Sequence, residues 1–179
     1  MNEYEKLRMK VFGLFKEGKI KEASELFESN NMDYFETSPT DEWNWLHQLS
    51  MGFNPKEPPK KTIEFFVEKG VPVNAQDSYG MTPLHYAMRG KNADAAIALL
   101  KAGADPNIPN RDNVIPLAMI GGVPQRLDLL KLMLDKGGNV HFKNGDNELA
   151  IVESMKKYLG DQEKFVPVIQ LLEQYAEDF

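Results

Sequence analysis

The sequence contains no cysteine, which excludes disulfide staples and thiol chemistry. It has no run near the roughly 20 apolar residues that a bilayer-spanning helix needs. The opening segment MNEYEKLRMKVFGLF carries acids and no unbroken apolar stretch. No secretory signal is therefore expected, and a cytoplasmic location is. Lysine and arginine are absent between Glu22 and Pro55. Across 179 residues, 27 acids against 21 bases leave a net charge of −6. That balance argues against nucleic acid, whose phosphates need a basic face. It suits a basic protein partner.

Signatures of catalysis and cofactor binding are missing as well. No GxSxG elbow or Ser-His-Asp order appears. Gly13–Ile20, GLFKEGKI, nearly spells a phosphate-binding loop. Ile20 stands where a magnesium-binding hydroxyl belongs, and an amphipathic helix rather than a strand precedes it. With three histidines, no close-spaced His pair and no Cys, no metal site is expected. Acid pairs such as Asp41/Glu42 and Asp161/Glu163 fall near helix ends, where carboxylates are usually solvated. No enzyme activity and no cofactor are expected.

What is present is a unit that recurs. Residues 77–107 read DSYGMTPLHYAMRGKNADAAIALLKAGADPN. Gly80 permits positive φ in a tight turn. Thr82 can cap a helix that Pro83 opens, since proline's missing N–H costs nothing there. Gly103 ends the second helix in a left-handed conformation. Downstream, Ile115-Pro116-Leu117-Ala118 repeats Thr82-Pro83-Leu84-His85 after 33 residues; upstream, Asn44-Trp45-Leu46-His47 precedes it by 38. Pro55, Pro58 and Pro59 make residues 51–61 a longer loop between helices. Gly70 and Asn74 sit one period before Gly103 and Asn107.

This unit resembles the ankyrin repeat, whose pattern is DxxGxTPLHxAA, a second helix, then LLxxGADxN. The resemblance implies a mainly α fold: an ankyrin-repeat solenoid of β-hairpin/helix-turn-helix units in a single elongated, curved domain. Residues 1–37 are expected to form an N-terminal helical cap, 38–75, 76–108 and 109–142 the repeats, and 143–179 a C-terminal cap repeat. In that last unit Leu149 takes the motif-leucine place. The resemblance gives His47 and His85 a structural role, bonding the motif threonine position and nearby backbone. Asn44 still caps, but Ile115 cannot, so a frayed hairpin-to-helix joint is expected there. Trp45, in the motif proline's place, is expected to lean toward the loop holding Phe53.

Function then follows from the stacking geometry the family implies. Hairpin fingers and the exposed side of the first helices are not needed for stacking and are free for recognition. The candidate partner-binding residues are Asp41, Trp43, Gln76, Ser78, Tyr79, an exposed Met81, Arg89, Arg111, Asp112, Val114, Lys143 and Asp146. Trp, Tyr and Arg are the types that most often dominate interfaces. The window from Glu22 to Pro55 mixes seven acids with Phe27, Tyr34, Phe35, Trp43, Trp45 and Phe53. Either its aromatics are core and its acids solvated, or it is a sticky acidic surface; the first reading is favoured. The expected function is non-catalytic protein binding by a chain monomeric in the free state. It would act as a stoichiometric blocker of one protein, with bacterial immunity or antitoxin proteins as the analogy. An adaptor bridging two partners is the alternative.

Overall fold

A computed structural model describes residues 2–177. Its helices come in antiparallel pairs. The first pair is α1 (Glu3–Lys16) and α2 (Ile20–Ser29). Asn2 opens α1 with a reciprocal cap: its side chain accepts the Glu5 N–H, and the Glu5 carboxylate accepts the Asn2 N–H. Gly18, at φ 74°, turns the chain into α2. The phosphate-loop look-alike is thus the end of one helix plus a turn, with Leu14 and Phe15 buried in the core.

The next pairs are α3 (Trp45–Ser50) with α4 (Lys60–Glu68), and α5 (Pro83–Arg89) with α6 (Ala93–Lys101). In the following unit the first helix is a 3₁₀ helix, Pro116–Gly122, paired with α7 (Leu127–Asp135). Ile115 lends this helix no side-chain cap, unlike Asn44 and Thr82 in the two preceding units. The joint is not frayed as expected: Ile115 is fully buried and its N–H donates to the Asn144 side-chain oxygen at 3.2 Å, although the helix that follows is the tighter 3₁₀ form. The last pair is α8 (Ile151–Leu159) and α9 (Val166–Glu177).

First helices pack on first helices, and second helices on second helices. α3, α5 and the 3₁₀ helix touch in succession, as do α4, α6 and α7. Polar side chains lock the register between units. Asn74 donates to the Gly103 carbonyl at 2.9 Å and accepts the Asp105 N–H at 2.9 Å. One period on, Asn107 donates to the Gly137 carbonyl at 2.8 Å and accepts the Asn139 N–H at 2.7 Å. The motif histidines also join units. His85 Nδ1 accepts the Thr82 N–H at 3.0 Å, and Nε2–H donates to the Val114 carbonyl of the next finger at 2.9 Å. His47 does the same with the Asn44 N–H at 3.2 Å and the Met81 carbonyl at 3.0 Å. Ala118 breaks this series.

The core changes character along the stack. Its first third is aromatic: Phe15, Phe27, Trp45 and Phe66 are all fully buried. Phe15 meets Phe66 with ring centroids 4.7 Å apart, and Tyr34 stacks on Phe27 at 4.2 Å. Trp45 therefore packs inward, donating its indole N–H to the Asp33 carbonyl, while Phe53 is fully exposed. That corrects the expected lean: a buried ring among three other aromatics gains far more than one against a surface loop. Farther along, Leu84, Ala87, Ala95, Ala96, Leu99 and Leu100 form a core of small and branched residues. The small alanines let adjacent helices approach closely.

The fingers contain no strand among the described residues. Each is a turn closed by a backbone bond: Ser38 N–H to Trp43, Asp77 N–H to Met81, and Asn110 N–H to Val114, each at 3.0 Å. Single bonds also tie finger to finger, from the N–H groups of Ser78, Arg111 and Gly145 to the carbonyls of Asp41, Tyr79 and Asn113. Glycine is required at Gly80. Its φ is 71°, and a Cβ there would stand 3.0 Å from the Arg111 nitrogen.

The last unit corrects one register. Leu149 lies before α8 and is only half-buried. Val152 holds the motif-leucine place instead: its N–H donates to the Val140 carbonyl, as the Leu117 N–H does to Pro106 one unit earlier. Residues 145–150 form a longer connection than the matching segment before Pro116, and sequence spacing alone hid the offset.

Candidate functional site

Fingers and first helices together enclose a depression of about 500 Å³. Its lining includes Trp43, Tyr79, Met81, Asp112 and Val114 from three successive fingers. Met51, Tyr86, Arg89 and Met119 come from the ends and faces of the first helices. A second hollow, of about 150 Å³, shares Met51, Tyr86 and Arg89 and runs on toward Phe53. Six of the residues expected to bind a partner therefore converge in one place.

Beneath them lies a buried anion that sequence reasoning missed. Asp77 is 5% exposed. One carboxylate oxygen accepts the backbone N–H groups of Tyr79 at 2.9 Å and Met81 at 2.8 Å. The other accepts the Trp43 indole N–H at 2.8 Å and the Tyr86 hydroxyl at 2.6 Å. Burial, then the bond to Asp77, pushes the Tyr86 phenol far above its ordinary value, so it stays a neutral donor. The signal was present in the sequence: an acid two residues before an exposed tyrosine and nine before a helical one. Only the fold shows that Trp43, 34 residues upstream, reaches the same carboxylate.

The family question is decided by this repeating geometry together with sequence similarity. Residues 46–100 match the family model for ankyrin repeats in many copies. An ankyrin repeat protein of Rickettsia bellii is 36% identical over 83 residues, covering 44% of this chain and 24% of that protein. One of fowlpox virus is 31% identical over 93 residues, covering 52% and 13%. The ankyrin repeat protein nuc-2 of Neurospora crassa is 26% identical across 90% of this chain and 17% of its own length. Residues 46–100 are ankyrin repeats. The chain spans less than a quarter of the length of each of these relatives. Ankyrin repeats make it a protein–protein interaction module of a generally non-catalytic family. No described helix is long and apolar enough to cross a membrane.

The ankyrin-repeat frame sorts the remaining sequence candidates. Met81 is not exposed: at 7% it sits under the finger, where its sulfur accepts the Asn110 side-chain N–H at 3.3 Å. Trp43 is half-buried and turned toward Asp77, which makes it a wall of the groove rather than a projecting anchor. Tyr79 is 53% exposed and donates its hydroxyl to Asp41 at 3.2 Å. That bond holds the phenol above its ordinary value. Gln76 braces the fingers, donating to the carbonyls of Gly80 at 2.9 Å and Pro109 at 3.1 Å. Ser78 contributes its backbone N–H to Asp41. Arg111, Lys143 and Asp146 carry exposed side chains on the finger edge and do not line the depression.

The acid-rich window divides between the two readings: Trp43 lines the depression and Phe53 is fully exposed, whereas the other aromatics but one belong to the core. Phe27 and Trp45 are core, and Tyr34 packs against it. Glu28 pairs with Lys69, and Glu36 with Arg8. Phe35 is 58% exposed, a residue the aromatic cluster does not absorb. Among the described residues no group of three His, Asp or Glu side chains is placed to hold a metal ion. His47 and His85 are engaged between units, and burial holds both imidazoles below the usual histidine value.

Proposed function

We propose that this chain binds one protein partner stoichiometrically in the depression between its fingers and first helices, and acts by blocking that partner. A single observation carries the reading. Three fingers and three first helices converge on one hollow lined by methionine, aromatic and arginine side chains, the composition that concentrates binding energy. The residue set of that site, with Gln76, Ser78, Arg111, Lys143 and Asp146 as its finger-edge rim, is part of the same proposal. So is the division into two caps and three repeats stacked as one domain. The net charge of −6 favours long-range attraction of a basic partner. A blocker of a basic toxin is the biological setting that such a partner would fit.

The test is capture of the partner from host extract by the chain and by a Tyr79→Ala/Met119→Lys variant, both checked for unchanged circular dichroism. The proposal expects a protein retained by the first and lost by the second, in a 1:1 complex by analytical ultracentrifugation. A protein retained equally by both would place binding elsewhere. An adaptor would instead give a ternary complex in which a second protein stays bound to the variant.

A further inference from the structure

We infer that the groove recognises a protein segment in which a large apolar side chain stands next to a carboxylate, and that Arg89 is the residue that reads the carboxylate. This rests on the groove being the binding site and specifies what it takes. The argument starts from which polar groups of the groove are already engaged. The Asp77 carboxylate accepts four donors. The Trp43 indole N–H and the Tyr86 hydroxyl are both directed into it. Asn110 is occupied too: its side-chain oxygen accepts the N–H groups of Asp112 at 3.0 Å and Val114 at 2.9 Å, and its nitrogen faces the Met81 sulfur. None of these can serve a ligand without abandoning a bond inside the fold.

Arg89 is different. It closes α5, it is exposed, and it lines both hollows. No hydrogen bond or ion pair engages its guanidinium among the described residues, while Arg8 and Arg126, the two partly buried arginines, are both paired. The side chains beside it in both hollows are Met51 and Tyr86, with Met119 in the larger. A cation set among apolar walls has less water to compete with and offers a two-pronged fork that matches a carboxylate. The free acid of the lining, Asp112, belongs to the finger end rather than to α5. A segment that lays an apolar side chain over Met51 and Met119 would bring its neighbouring carboxylate to Arg89. Such a segment is compatible with a partner that is basic overall, because long-range steering and local readout act over different distances.

The test selects random dodecapeptides displayed on phage against the immobilised full chain, then measures synthetic copies of the winners by fluorescence anisotropy. The expected winners carry Asp or Glu adjacent to Leu, Ile, Met, Phe or Trp. Arg89→Glu should weaken them by about tenfold or more, the size of one charge-assisted hydrogen bond. Arg89→Ala should do so less, and neither change should move the melting temperature. Winners that compete with one another, are lost in Tyr79→Ala/Met119→Lys, and yet ignore Arg89→Glu would overturn this inference and leave the groove intact as the site. Winners carrying Lys or Arg at the key position would do the same. Winners insensitive to the Tyr79/Met119 variant would overturn the groove reading and this inference with it.

Discussion

Replacing Asp77 tests whether the groove wall is held by the buried carboxylate. The next unit supplies an internal control. Asn110 occupies the same place in its finger and accepts the same two backbone N–H groups, of Asp112 and Val114, with a neutral amide oxygen. Asp77→Asn should therefore keep its bonds from Tyr79 and Met81. It would lose the second oxygen, which takes the Trp43 indole and the Tyr86 hydroxyl. The hydroxyl can rotate to accept from the new amide, and the indole already lies 3.1 Å from it. The net cost should be about 2 kcal/mol, one charge-assisted bond. Asp77→Ala leaves all four donors without the carboxylate. Two of them belong to Met81 and Tyr86, which remain buried. At about 1–3 kcal/mol for each stranded donor, the expected loss is about 4 kcal/mol. At about 2–4 °C per kcal/mol for a chain of this size, the melting temperature should fall by about 8–16 °C. Urea unfolding, followed by far-ultraviolet circular dichroism and tryptophan fluorescence, measures both variants. Alanine within about 1 kcal/mol of the parent, or no less tolerated than asparagine, would refute the hub.

Three further outcomes are expected. Thr82→Ala should cost about 1 kcal/mol, because the threonine oxygen both faces the His85 N–H and bonds His85 Nδ1; an unchanged urea midpoint would show that it does not cap. Gly80→Ala should destabilise by more than about 1 kcal/mol, since φ is positive and the added Cβ meets the backbone of the next finger; a neutral result would mean that the fingers part easily. Acidification should weaken the fold early. His47 and His85 have folded pKa values depressed by burial, so the stability tied to their neutral forms is complete above about pH 6.5 and declines as pH falls below it. Two such groups give at most about 2.7 kcal/mol per pH unit. Urea midpoints between pH 7.5 and 5 should trace that decline, with a shallower slope for His85→Gln; a flat profile would sink the assignment.

How much of this was legible beforehand depended on the range of the interaction concerned. Gly80 and Gly103 were readable because a positive φ is a local property, and both adopt it. Thr82, Asn44 and Pro83 were readable for the same reason, since a cap acts over three residues. The failure of Ile115 to cap was equally local. Met81 was misjudged because its exposure is set by another finger, through Asn110. Leu149 was misplaced because the repeat period stretches at the connection before α8, between Gly145 and Ile151. Asp77 carried a sequence signal only in retrospect: the motif calls for an acid there, and the acid's partners lie as far away as Trp43.

The same contacts explain why recognition and stability fall on different atoms in this molecule. Stacked units leave backbone and side-chain polar groups at every joint, and these must be bonded or they cost free energy. The histidines, Asn74, Asn107 and Asp77 meet that requirement between units. Each such residue is thereby fixed and cannot turn to meet a ligand. What remains free is what no joint needs: the side chains of Met51 and Met119, which adapt in shape, and Arg89 at the end of α5, whose guanidinium is unpaired among the described residues. A partner could evolve against those side chains without disturbing a single inter-unit bond. Substitutions at the groove should therefore alter binding with little effect on melting, and substitutions at the joints the reverse. That separation is a property of how the units stack, and it is why Arg89 rather than the more conspicuous Trp43 is the residue to examine for specificity.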